Sequence, residues 1–344
     1  MASGRARSAL ACLVAAALFG ASTPLSKALL ESVGPVTLAG LLYLGGAAGV
    51  LPWAFRGGSR ELRADRRQRW LLAGAVLLGG GLGPVLMLLG LAAAPASSVS
   101  LWLNLETPAT TLLAWALFRE HLDARTWIAA TLVLAGGIAL AVGGFAGASA
   151  GLLVALACVC WGFDNNFTAL VSAFTPAQTT AVKGLVAGTV NLLLGLGLEG
   201  GLPAGRSIAL ALAVGAVSYG ASLVLYISGA QQLGASRSQL LFATSPFVGT
   251  ALSWAFLGEH IHLVQVLAAT LMAVALLVLL RARHAHVHGH ERLAHTHDHR
   301  HDDGHHDHDH PGEPQSLRHT HPHVHEPATH SHPHAPDLHH RHRH

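Results

Sequence analysis

The chain has 344 residues, of which 51% are hydrophobic and 11% charged, with three Cys and a formal net charge of +3. Soluble domains carry about 25% charged residues, so one soluble globular domain is excluded, as are a disulfide-rich module and a nucleic-acid-binding protein. Of the 26 His, 23 lie between His284 and His344, which divides an apolar body from a His-rich tail.

A bilayer-spanning helix needs roughly 20 predominantly apolar residues. Ten segments meet this in chain order: 8–30, 35–55, 70–93, 95–118, 123–143, 151–173, 176–198, 207–230, 235–257 and 262–281. Arg5 and Arg7 precede the first, which is read as a span and not as a cleaved signal peptide. The joints at 31–34, 93–95 and 120–123 are short, so neighbouring spans run antiparallel. Lys and Arg accumulate on the cytoplasmic side. Arg56, Arg60, Arg63, Arg66, Arg67, Arg69, Arg119, Arg125, Arg237, Arg281 and Arg283 all fall on the side of the N-terminus. Only Arg206 falls opposite, which predicts that both termini are cytoplasmic.

The apolar body repeats itself. Trp115-Ala-Leu-Phe-Arg-Glu-His-Leu122 matches Trp254-Ala-Phe-Leu-Gly-Glu-His-Ile261 at an offset of 139, and both copies continue to Ala-Ala-Thr-Leu. At an offset of 142, Phe19-Gly20 aligns with Trp161-Gly162. Five spans per copy is an odd number, so the second copy is inverted in the membrane, a common plan for secondary transporters. Arg119 and Arg125 have the uncharged counterparts Gly258 and Val264, as inversion requires. The predicted class is an all-α polytopic membrane protein with repeats at 1–143 and 151–281, followed by a tail at 282–344.

With this repeat, Gly258-Glu-His-Ile261 between the last two spans and Leu38-Ala-Gly-Leu-Leu-Tyr-Leu-Gly45 on the second, the sequence resembles the drug/metabolite transporter superfamily, EamA type. The resemblance covers residues 8–281. It implies a plasma-membrane secondary transporter, most often an exporter of small organic solutes, working by alternating access around a central cavity. The chain departs from the family in carrying Leu42 beside Tyr43, where members often have Arg.

Ionisable groups at membrane depth are costly and call for a partner or a function. Glu106 lies mid-span in Asn104-Leu-Glu-Thr-Pro108, and Asp164 mid-span in Trp161-Gly-Phe-Asp-Asn-Asn166. Helices interrupted by Pro, which frees backbone carbonyls, line transporter sites. Glu106, Asp164, Asn104 and Asn165 are therefore read as substrate or ion pathway, against the alternative of a structural hydrogen bond or an ion pair of Asp164 with a Lys. Lys27 and Lys183 lie nearer span ends, where snorkelling competes with a site role. Trp102, Trp161 and Tyr43 either line the same cavity or pack. Glu120/His121 and Glu259/His260 read as helix-end polar residues and not as metal ligands.

In the tail, His-x-His recurs at His284, His286, His288, His290, then His295, His297, His299, His301, then His305, His306, His308, His310. Few apolar residues and repeated Pro predict disorder. Imidazole ligates Zn, Ni, Cu and Co, and the neighbouring Asp add oxygen donors, so the tail is expected to bind divalent metal. No Walker A loop is present, which points away from ATP-driven pumping, and the transporter reading carries no enzyme activity. The leading reading is an exporter of a small metabolite or amino-acid-like solute that requires no cofactor. The alternative is a transition-metal exporter whose tail gathers the cargo, and a membrane-anchored metal store is a third. The expected partners are the lipid bilayer, the substrate, divalent metal at the tail and a second copy of the chain.

Overall fold

The computed structural model describes residues 2–55, 65–118, 122–143, 147–171, 173–233, 235–280, 284–290, 293–299, 319–325 and 328–334. Residues 1–282 and 283–344 form two separate compact units.

The first unit is helical throughout its described residues. Among the described residues, seven helices are long and apolar enough to cross a membrane: Ala6–Leu29, Pro35–Ala54, Arg66–Ala93, Ala124–Val142, Ala148–Leu170, Pro176–Leu198 and Gly205–Ala230. The first takes in most of α1 (Ala2–Gly20) and all of α2 (Ser22–Leu29), and the second is α3 (Pro35–Ala54). In the third, α4 (Arg66–Ala75) and α5 (Gly83–Ala93) flank a π-helix at Val76–Leu82. The segments expected as single spans at 95–118 and 235–257 are each broken. The first is α6 (Ala96–Trp102), a 3-10 turn at Leu103–Leu105 and α7 (Glu106–Phe118). The others are α8 (Ala124–Val142), α9 (Ala148–Leu170), α10 (Pro176–Leu198), α11 (Gly205–Val214), a π-helix at Gly215–Ala221 and α12 (Ser222–Leu233). Last come α13 (Ala235–Phe242), α14 (Ser245–Phe256) and α15 (Leu263–Leu280). Pro108 and Pro246 sit in the first turns of α7 and α14, where a missing N–H costs nothing, so each break falls just ahead of a Pro.

Local chemistry sets the other boundaries. Asp65 and Asp123 cap α4 and α8 by accepting from Gln68 N and Thr126 N. Thr175 and Gln178 form a capping box ahead of α10, with Pro176 in its first turn. The two π-helices are 139 residues apart, the offset of the sequence repeat.

The packing follows the repeat. Equivalent helices pack on each other, α3 on α10 and α8 on α15, and α6 packs on α14 of the equivalent broken span. Other contacts come in matched pairs, α1 on α12 with α5 on α9, and α1 on α14 with α7 on α9. Close approach of α3 and α10 depends on glycine. A Cβ on Gly40 would overlap Leu192 N, and one on Gly188 would lie 2.9 Å from Leu44 N. Small residues let helices meet closely in lipid, where apolar burial supplies no drive. Large side chains face outward instead, as at Leu198 (76% exposed) and Leu193 (65%).

In the second unit, the expectation of a tail without regular structure needs correction for the described segments. Strands β1 (His284–His290) and β4 (Ala328–His334) pair antiparallel, as do β2 (Leu293–His299) and β3 (His319–His325). His-x-His has the two-residue period of a strand. The registers place His286 opposite His332, His288 opposite His330, and His297 opposite His321. His301, His305, His306, His308 and His310 lie outside the described residues.

Candidate transport site

The site is organised by a broken hydrogen-bond ladder. At the end of the first π-helix, Gly83 N donates to Leu78 O, five residues back. In that register the next donor would be residue 84, which is Pro and has no N–H. The Gly79 carbonyl is therefore left without a ladder donor, and two side chains from other helices take it. Tyr43 Oη on α3 donates at 2.7 Å and Trp161 Nε1 on α9 at 3.0 Å. Asn191 on α10 donates to Gly80 O and Gly81 O, both at 3.2 Å. Irregular backbone at membrane depth is tolerated only where protein satisfies it in this way.

Beside this bulge sits an ion pair. Lys183 Nζ on α10 lies 2.7 Å from Asp164 Oδ2 and 2.9 Å from Oδ1, and Thr168 Oγ1 donates to Oδ1 at 3.0 Å. Asp164 is buried at 5% exposure. A Cβ on Gly79 would run into the Asp164 carboxylate, so only glycine fits there.

The next two residues of α9 turn to α7. Asn165 Nδ2 donates to Glu106 Oε1 at 2.8 Å and to Thr110 Oγ1 at 3.1 Å. Asn166 Nδ2 donates to Thr110 O at 3.0 Å and Gly162 O at 2.8 Å. Glu106 occupies the first turn of α7, where the helix dipole favours a carboxylate.

Of the residues singled out from the sequence, Asp164, Lys183, Trp161, Asn165 and Glu106 thus come together along α9. Trp102, Asn104 and Lys27 do not. Trp102 is packed at 1% exposure with Nε1 donating to Gly137 O. Asn104 Nδ2 donates to Leu101 O at 2.9 Å, and Lys27 Nζ reaches Leu91 O and Ala94 O at the end of α5. Glu259 caps a helix, as a helix-end residue should, whereas Glu120 and His121 lie outside the described residues. Sequence reasoning missed Gly79, Thr168 and Asn191. The run Gly79-Gly-Gly-Leu-Gly-Pro84 was the available signal for the first.

Tyr43 joins the polar cluster to an aromatic one. Its ring centroid is 5.9 Å from that of Tyr219, which stands edge-on to Phe19 at 5.6 Å. Phe19 also contacts Phe242 at 5.2 Å.

The EamA-like transporter family matches this chain twice, over residues 6–142 and 148–281. The chain belongs to that family. Its two matches coincide with the two halves whose π-helices share the 139-residue offset. This EamA-like protein is 27% identical over 293 residues to an uncharacterized transporter of Methanothermobacter thermautotrophicus, covering 78% of the chain and 84% of that relative. A protein of known crystal structure shares the fold at a TM-score of 0.58 and 21% identity, over 78% of this chain and 94% of its own. The chain is a multi-pass membrane protein of the transporter class.

Proposed function

We propose that this EamA-like protein is a secondary-active exporter of a small metabolite or amino-acid-like solute in the plasma membrane, with both termini in the cytoplasm. The reading includes ten spans in two inverted five-helix repeats, supported by the matched pairs of helix contacts and by Arg119 and Arg125 having uncharged counterparts. The observation that carries it is the buried Asp164–Lys183 pair beside the interrupted backbone at Gly79. Lys183 offers a cation to a cargo carboxylate, and Asp164 a carboxylate to a cargo ammonium. Glu106, held by one amide donor from Asn165, is the group we assign to proton or ion coupling. Homodimerisation is compatible with the exposed apolar faces.

The His-rich tail is read as a metal-binding arm for Zn, Ni, Co or Cu that buffers, senses or delivers the ion. The competing reading, a metal exporter, draws its support from the tail alone. Growth of a deletion strain across those metals and a panel of amino acids and analogues tests both. Proteoliposome export of the solute so found should fall in Glu106→Gln at normal membrane abundance, and unchanged export would refute the coupling role. Truncation after Arg283 should leave organic export intact. If it instead raises the metal concentration for half-maximal export, the metal reading wins.

A further inference from the structure

One end of the helical unit is fastened by charged side chains that grip backbone. Lys27, at the end of α2, donates to Leu91 O at 2.7 Å, Ala94 O at 3.0 Å and Ala92 O at 3.4 Å. These are the last carbonyls of α5 and its C-cap, the negative end of that helix dipole. Two residues past Ala94, Glu259 accepts from Ala96 N at 2.6 Å, from Ser97 N at 2.9 Å and from Ser97 Oγ. These are the first donors of α6, the positive end of the next dipole. The turn at 93–95 is thus held on both sides by charges of the sign each helix end favours, one from each half of the chain. Glu31 and Glu259 are the carboxylates within electrostatic reach of Lys27.

The sequence around Glu259 is built for this contact. Gly258, just past the end of α14, has a φ of +64°, the left-handed conformation that closes a helix and that side chains disfavour. That turn swings Glu259 back beneath α6. Gln265 braces the arrangement at 0% exposure, donating to Ser97 Oγ at 2.8 Å and Ser98 Oγ at 2.9 Å. A second carboxylate does the same nearby. Glu199, following α10, accepts from Val36 N at 2.8 Å and Thr37 N at 2.9 Å in the first turn of α3. Both Glu199 and Glu259 reach from the second half onto helices of the first.

We infer that Glu259 and Glu199 form a releasable clamp between the halves at this end of the transporter, with Lys27 holding the turn at 93–95 from within the first half. In alternating access the two halves must part at one end while they meet at the other. Contacts of a charge with backbone N–H and C=O suit that duty, because water can replace each partner when the end opens. At the opposite end, Gln68 donates to Leu170 O and Gln178 to Ala54 O across the halves. The clamp deepens the exporter reading, on whose topology this end is extracellular.

The test uses the full chain with its three Cys replaced, and with spin labels at Ala93→Cys and Ile261→Cys, one on each half. Pulsed electron resonance of that protein in lipid should show one short separation. Glu199→Gln and Glu259→Gln should each shift the open-to-closed ratio roughly tenfold or more, the scale of losing one charge-assisted hydrogen bond, and a longer separation should appear. Each variant that is read must elute as folded protein. If one of them does not fold, the other reads the same clamp, and Glu259→Asp, which keeps the charge, should keep the short separation. An unchanged distance distribution in folded Glu199→Gln or Glu259→Gln overturns the clamp. An impermeant thiol reagent applied to cells separates the two proposals. Labelling of Ala93→Cys only after the cells are broken would overturn the topology and leave the distance result to decide the clamp.

Discussion

Asp164→Asn is expected to destabilise the helical unit, because it strands the Lys183 ammonium. The two groups lie 2.7 Å apart, with side-chain exposures of 7% for Asp164 and 17% for Lys183. Removing one partner of a buried pair costs about 3–5 kcal/mol, much of it the penalty of leaving the other charge unpaired. The lower part of that range applies here, since Asn can still accept from Thr168 Oγ1. Roughly two orders of magnitude in the folding equilibrium are at stake. Lys183→Met alone strands Asp164 in the same way, but combined with Asp164→Asn it removes both charges and should recover most of the loss. Thermal unfolding of the purified protein in detergent, followed by the monodisperse fraction after heating, compares the four proteins in one cycle. An unchanged midpoint in Asp164→Asn, or a double variant no more stable than either single one, would refute the pairing as a source of stability. The pair also alters what sequence alone suggests, which is a transport defect at normal abundance for both acids. Only Glu106→Gln keeps that expectation, because the Gln carbonyl can still accept from Asn165.

The Gly79 carbonyl should show non-additive losses: Tyr43→Phe and Trp161→Phe each remove one donor and cost about 1 kcal/mol, while together they leave a bare buried acceptor and cost more than the sum. Equal and additive shifts in melting midpoint would count against the bulge as described. Gly188→Val should abolish folded protein, since the added Cβ meets Leu44 N at 2.9 Å and the backbones cannot separate without losing the α3–α10 contact. Recovery of normal abundance would contradict that packing. Reporter fusions at Ser59 and Ala285 should read cytoplasm and one at Gly147 the exterior, and opposite readings at Ser59 and Ala285 would break the ten-span topology. Full-length protein should bind several metal ions more than protein truncated after Arg283, with the difference lost as pH falls through about 6.5, where imidazole protonates. Equal binding by both would remove the metal role of the tail.

What sequence could and could not reveal here follows from lipid as a solvent. The repeat was legible because Glu259 serves a defined turn, and a turn leaves a signature of residue types at fixed spacing. The same offset of 139 then recurs in the π-helices, whose sequences, Val-Leu-Leu-Gly-Gly-Gly-Leu and Gly-Ala-Val-Ser-Tyr-Gly-Ala, share almost nothing but glycine. Partnerships across helices were not legible. In a soluble helix an apolar stripe marks the inner face, and a polar residue can be placed by its angle from that stripe. Here α9 and α10 are apolar all round, with Leu and Val outward and Gly and Ala inward, so no stripe shows that Asp164 and Lys183 face each other. Glu106 and Asp164 stood out because charge at membrane depth needs a reason, whatever direction it faces. Lys27 misled for the opposite cause: a Lys near a span end has water as a ready partner, and nothing in its neighbourhood of sequence names the carbonyls of Leu91 and Ala94. Chains of this kind therefore display their costly groups and hide the pairings that make those groups affordable.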